Sequence, residues 1–253
     1  MFRRAFVCAV PLAFAGSLAA QSPGPVQQAY GATAERIITA ALADSGVAWN
    51  KLARFADYSG NRFTGSAALE RGIDWLLAEM KKDGLENVRG EPAMVPHWVR
   101  GAESATLVEP RVAKLPMLGL GGSIATPKGG ITAQVMVVST FDELTRRAAE
   151  AKGKIVLFDA PFVSYGQTVA YRVQGAIAAS KAGAVASLIR SVTPYAMRTP
   201  HTGVMAYDST VKKIPHAAIT VEDAMMIHRM VSRGEKVVVR LEMEANTLPD
   251  VPS

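Results

Sequence analysis

Lys154-Ile155-Val156-Leu157-Phe158 is the segment that most narrows what this chain can become. Its apolar residues follow one another without a polar partner, so a strand here has no face to offer water and must be covered on both sides. The neighbouring pattern supplies the covers. Ile131 to Ser139 reads as a strand through Val135, Val137 and Val138. Thr140 then caps a helix, with Glu143 three residues on completing a capping box. Tyr171 to Ala182 is Ala-rich and helical and ends at Gly183, after which Val185 to Ile189 and Ile214 to Ile219 return as strands. Thr220 and Asp223 cap a helix over Val221 to Ser232, which Gly234 terminates. In the last strand, Lys236 to Glu244, Val237, Val239, Leu241 and Met243 alternate with Lys236, Arg240, Glu242 and Glu244. Strands alternating with helices from about Ser104 to Thr247 predict a small α/β module bracketed by extended segments.

Upstream the pattern differs. Ala32 to Ala43 reads as a helix with an apolar stripe of Ile37, Ile38, Ala41 and Leu42. A second helix is predicted over Ala67 to Lys82, where Leu69, Ile73, Leu76, Leu77 and Met80 recur at helical spacing and Gly84 follows as a cap. Between them lies the polar, Gly-rich loop Tyr58 to Ser66, with Ser66 placed to serve as N-cap. Val88 to Val99 reads as extended and forms the candidate early strand of a larger domain.

Residues 1–20 have the marks of an export signal. Arg3 and Arg4 form a charged start, Ala5 to Ala15 a short apolar core, and Ser17-Leu18-Ala19-Ala20 a small-residue cleavage region. The apolar run is too short to span a membrane and contains Pro11. The expected address is periplasmic or secreted, with no membrane span once the signal is removed. Residues 21–28 form a Pro-, Gly- and Gln-rich leader. The formal charge is +6, which falls to about +4 by subtraction of Arg3 and Arg4. No row of basic residues interleaves with aromatics, which argues against nucleic-acid binding. The single cysteine, Cys8, lies in the signal, so the mature chain is expected to form no disulfide and offer no thiolate.

A series of words runs in order through the middle of the chain: Pro96-His97-Trp98-Val99-Arg100-Gly101-Ala102-Glu103-Ser104, Leu107-Val108-Glu109-Pro110-Arg111, Leu118-Gly119-Leu120-Gly121, Gly130-Ile131-Thr132-Ala133, Phe141-Asp142-Glu143-Leu144 and Gly153-Lys154-Ile155-Val156. Thr199-Pro200-His201-Thr202-Gly203 and Lys213-Ile214-Pro215 extend it. Together they resemble the carboxypeptidase Q (plasma glutamate carboxypeptidase) family, secreted two-zinc peptidases of the aminopeptidase Y type. The resemblance implies an α/β fold made of the N-terminal helix and strand portion of a zinc-peptidase domain (21–103) plus a protease-associated insert, or lid (104–247). Residues 248–253 would begin the return to the peptidase domain. It also implies that the Gly60-x-Arg62-x-x-Gly65 loop packs close to the peptidase core. Zinc, a peptide substrate and a possible homodimer are implied for the whole protein. The family's zinc ligands lie in the second half of its chain, so the expectation here is a front part without them.

A zinc site needs imidazoles and carboxylates converging at about 2.0–2.2 Å. The four histidines are His97, His201, His216 and His228, and none begins a His-x-Asp or pairs at i, i+4 with another. No metal or catalytic residue is assigned. Gly121-Gly122-Ser123 is not a nucleophile elbow, because Thr126-Pro127 and Gly129-Gly130 forbid the helix that must follow. Gly119-Leu120-Gly121-Gly122 fails as a phosphate loop for the same reason. Asp142-Glu143 and Glu222-Asp223 sit in first turns, where they serve capping and the helix dipole. The loop Ser191 to Ser209 is the longest aperiodic stretch of the module. It holds Tyr195, Arg198, His201 and Tyr207, of which Arg198 and His201 are the candidates for meeting a peptide's carboxylate. The rival reading is a non-catalytic exported protease-associated module that binds peptides or a protein partner. The helices before Val88, which have no independent role in such a module, argue against it.

Overall fold

The computed structural model describes residues 24–44 and 46–253, so the export signal and Cys8 lie outside the described residues. The chain divides into two compact units, Met1–Arg54 and Phe55–Ser253. In the first, helix α1 (Pro25–Ala43) opens with Pro25 in its first turn, where the missing N–H costs nothing. It begins well before Ala32, and its stripe residues Ile37, Ile38 and Leu42 are exposed. Helix α2 (Val47–Ser59), a segment with no predicted element, follows Gly46 and spans the division at Arg54.

The second unit continues with α3 (Ala67–Lys82), capped as expected by the Ser66 hydroxyl, which accepts from the Leu69 N–H at 3.2 Å. Then come β1 (Met94–Glu109), β2 (Ala113–Leu115), β3 (Met117–Gly119), β4 (Ile131–Val138), α4 (Phe141–Arg146), α5 (Ala148–Ala151) and β5 (Ile155–Phe158). The chain finishes with α6 (Tyr165–Lys181), β6 (Ala186–Arg190), β7 (His216–Ile219), α7 (Val221–Ser232) and β8 (Val238–Pro252). The eight strands form one sheet in the order β2-β1-β8-β4-β5-β6-β7-β3. The inner strands β4, β5, β6 and β7 are parallel, and the remaining pairings are antiparallel. This is the α/β class that the sequence predicts.

The apolar run of β5 is buried at every position, as its composition demands. One face of the sheet packs Val137, Leu157, Leu188 and Leu241 against Ala224 and Ile227 of α7. The other packs Val138, Phe158 and Ile189 against Leu144 of α4 and Ala176 and Ala179 of α6. The outer strands β1 and β8 make a long ribbon from Met94 opposite Pro252 to Glu109 opposite Val238. Both run further than the sequence indicates. At Gly101 the register shifts, and the Glu244 carboxylate accepts from the Ala102 N–H at 2.9 Å, so a bulge carries β1 past a glycine that reads as a stop.

The Tyr58–Ser66 loop docks on this ribbon. Phe63 meets Trp98 edge-on at 5.6 Å, the Thr64 hydroxyl donates to the Pro96 carbonyl at 2.5 Å, and Gly65 closes against His97 and Val251. Trp98 Nε1–H donates in turn to the Ser123 carbonyl at 3.0 Å.

Candidate functional site

The loop from β6 to β7 is aperiodic in sequence but tightly fastened. Ser191 Oγ–H donates to the Ile219 carbonyl at 2.6 Å and accepts from the His201 N–H at 2.8 Å. His201 Nδ1 is hydrogen-bonded to the Val192 carbonyl, which can only accept, so Nδ1 carries the proton and Nε2 is the free ring nitrogen. The Gly121 N–H donates to the Gly203 carbonyl and the Gly121 carbonyl accepts from the Met205 N–H, on either side of Val204, and Thr202 Oγ1–H donates to the Gly119 carbonyl at 3.2 Å.

The candidate residues of this loop fall into different roles. Arg198 has a left-handed backbone (φ 49°), its N–H donates to Glu222 Oε1 at 2.7 Å, and the residue is exposed. No hydrogen bond joins its side chain to that of His201. Tyr195 is exposed. Tyr207 is committed to the fold: its hydroxyl donates to the Ile214 carbonyl at 2.7 Å and accepts from the Ile124 N–H at 3.0 Å, and burial pushes the phenol's pKa up.

The cation that the structure brings to His201 is a different one. Arg172, from the middle of α6, is 6% exposed. Its Nη2–H donates to the Tyr165 hydroxyl at 2.9 Å, and its guanidinium lies 5.5 Å from the Tyr165 ring centre. Tyr165 in turn stands 6.1 Å from the His201 ring. Gly203 covers the guanidinium, and Nε and Nη1 are buried without a hydrogen-bond partner. Among the described residues no carboxylate pairs with Arg172. A buried cation with open N–H groups is costly unless an acceptor meets it. The guanidinium fork suits a carboxylate in two-point contact. Arg172, linked to His201 through Tyr165, is therefore a candidate that its place in an Ala-rich helix does not reveal in the sequence.

The histidines do not assemble a metal centre. Among the described residues no three His, Cys, Asp or Glu side chains come together to hold an ion. His97 lies on β1 against Gly65, His216 is fully buried beside Gly175, and His228 Nδ1 lies 2.6 Å from Asp159 Oδ2. The described residues therefore do not fit a zinc site. No described helix is long and apolar enough to cross a membrane.

In architecture the chain is similar to the solved structure of an M28 peptidase. It superposes on a peptidase M28 precursor from Shewanella amazonensis with TM-score 0.83 and 33% identity, over 90% of this chain and 53% of that one. A zinc aminopeptidase from Bacillus subtilis shares the fold at TM-score 0.52 and 22% identity, over 78% of this chain and 44% of that one. No protein-family profile matches. The sequence itself is more specific: over 205 residues it is 53% identical to carboxypeptidase Q of Mus musculus, covering 81% of this chain and 44% of the relative. The chain is a homologue of the carboxypeptidase Q proteins and spans about half the length of those it matches.

Proposed function

We propose that this chain is the N-terminal part of an exported zinc metallocarboxypeptidase that hydrolyses small peptides. The observation that carries the reading is the 53% identity to a carboxypeptidase Q over most of the chain. The likeness to an M28 peptidase precursor at TM-score 0.83 supports it. In this reading residues 104–247 are the lid, 21–103 and 248–253 belong to the peptidase domain, and the zinc ligands come from sequence beyond this chain. Zinc, when bound in the whole protein, would supply Lewis-acid activation of water. What this chain itself offers is recognition: Arg172, beside Tyr165 and His201, receives the free carboxylate of a short peptide. Export through residues 1–20 and a homodimer belong to the same proposal.

The test is the reading frame past Ser253 and its product. The frame is expected to encode a His-x-Asp followed by further acids and a histidine. Its full product is expected to hold zinc after dialysis and to cleave dipeptides, while the 253-residue chain does neither. One or two tightly held zinc ions on the 253-residue chain would overturn the division of labour. A full product without dipeptidase activity would overturn the enzyme and leave a binding module.

A further inference from the structure

Three neighbouring parallel strands end in one row. Val138, Phe158 and Ile189 are paired across β4, β5 and β6, and the residues directly beyond them are Ser139, Asp159 and Arg190. A hydroxyl, a carboxylate and a guanidinium thus stand side by side at the carboxyl ends of the strands, where open α/β sheets place their ligand crevices. Helix α7 supplies the other wall. Met225, His228, Arg229 and Ser232 recur at i, i+3, i+4 and i+7, so one stripe of the helix faces the row. With Pro161 and Arg233 these residues line a cleft of about 540 Å³, a volume suited to a small organic molecule.

The polar groups are ordered from the inside out. Asp159 is buried and satisfied on both oxygens, by Arg190 Nη1 at 3.2 Å and by His228 Nδ1 at 2.6 Å. The carboxylate cancels the Arg190 charge and fixes the His228 ring with Nε2 free. Arg190 keeps a buried Nε that has no partner. Arg233 is offset by Glu235 at 2.7 Å. Arg229 has no ion pair among the described residues and is exposed. The cleft therefore carries one uncompensated positive charge, and much of the rest of its wall is apolar, from Pro161, Met225 and the arginine stems.

We propose that this cleft binds a small organic carboxylate, its charge against Arg229 and Arg190 and its apolar body against Pro161 and Met225. One positive charge and an apolar wall favour a monoanion with a hydrocarbon body over a compact polyanion. The site needs no peptidase chemistry, so its test stands apart from that of the proposed function.

The experiment is titration of the whole chain with phenylacetate. It is followed by calorimetry and by the methionine methyl signals, with Met225 assigned through Met225→Leu. Saturable binding with a Kd of about 1–10 mM and a shift of the Met225 methyl are expected, given the ceiling for so few heavy atoms. Neutral phenylacetamide should bind at least fivefold more weakly, and Arg229→Gln should weaken phenylacetate at least fivefold. Arg190→Gln should do the same where it folds; Arg229, exposed and outside the Asp159 network, decides the matter if it does not. Equal binding of the amide, or undiminished binding by Arg229→Gln, would overturn the proposal. So would inorganic phosphate binding as tightly without moving Met225.

Discussion

Gly203 lies flat against Arg172: a methyl group added at Gly203 would come within 2.6 Å of the guanidinium carbon. The glycine is not required by its backbone, since its φ lies outside the left-handed region, so the constraint is one of space alone. Gly203→Ala must push a buried guanidinium off its Tyr165 partner. An overpacking cost of about 1–3 kcal/mol is expected in urea unfolding. In the double variant Gly203→Ala with Arg172→Ala, part of that cost should vanish, because the atom that clashed is gone. Strict additivity of the two single effects would show that the close approach carries no energy.

Buried His216 makes stability depend on pH. Burial, the largest influence, pushes its pKa down from 6.5 to about 4, and the hydrogen bond to the Ser187 carbonyl only partly restores it. Above pH 6.5 the imidazole is neutral in both states and nothing is lost. Between 6.5 and 4 the unfolded chain takes up a proton that the folded chain refuses, so stability falls with pH by about 3 kcal/mol in all. Below 4 both states are charged and this contribution is flat. Urea unfolding at several pH values, with His216→Leu as reference, checks it: the variant should lose most of the slope in that window.

Two glycines of one loop separate backbone strain from crowding. Gly60 and Gly65 both have positive φ, 61° and 73°. A Cβ on Gly60 meets nothing within 4 Å, whereas on Gly65 it meets Val251 at 2.9 Å and His97 at 3.0 Å. Gly60→Ala should therefore cost about 1–2 kcal/mol, the price of a left-handed alanine. Gly65→Ala should cost more by about 1–3 kcal/mol, because the loop must lift from the β1–β8 ribbon. Equal effects in thermal unfolding would mean that the loop does not depend on that seat.

The elements most legible in the sequence are those with local punctuation. Helix α7 has the predicted bounds, because Thr220 and Asp223 cap one end and Gly234 follows the other. Other local signals lie outside the predicted elements. Ser164 caps α6 by accepting from the Gln167 N–H at 3.4 Å, a Ser-x-x-Gln pattern that lies ahead of the predicted helix start at Tyr171. Trp49, Leu52, Ala53 and Ala56 repeat at helical spacing through α2. The site residues were less legible for a physical reason. An arginine inside an Ala-rich helix reads as solvated, and Arg172 becomes buried only because Gly203 returns from the far end of another connection. The Ser139, Asp159 and Arg190 row exists only once the register of three strands is known. Arg198 is suggested by its loop position alone; its backbone N–H is bound to Glu222 and the residue is exposed.

That difference separates two arginines in the full-length enzyme proposed above. Arg172 has buried N–H groups that a carboxylate can satisfy, whereas Arg198 is exposed and has only water to lose. Arg198→Ala should leave kcat and KM for a dipeptide within twofold of the parent. Arg172→Gln removes the charge and shortens the side chain while keeping an amide donor. Contact made equally in the ground and transition states appears in KM alone, so KM should rise at least tenfold while kcat stays within threefold. A peptide amide, which lacks the terminal carboxylate, should show no such penalty, and that comparison separates lost recognition from a general disturbance of the fold. His201→Ala, which loses the ring beside Tyr165 but not the Arg172 charge, should fall between the two. If Arg172→Gln changes dipeptide and peptide amide alike, the guanidinium is a structural support of the 201–203 segment and the carboxylate is read elsewhere.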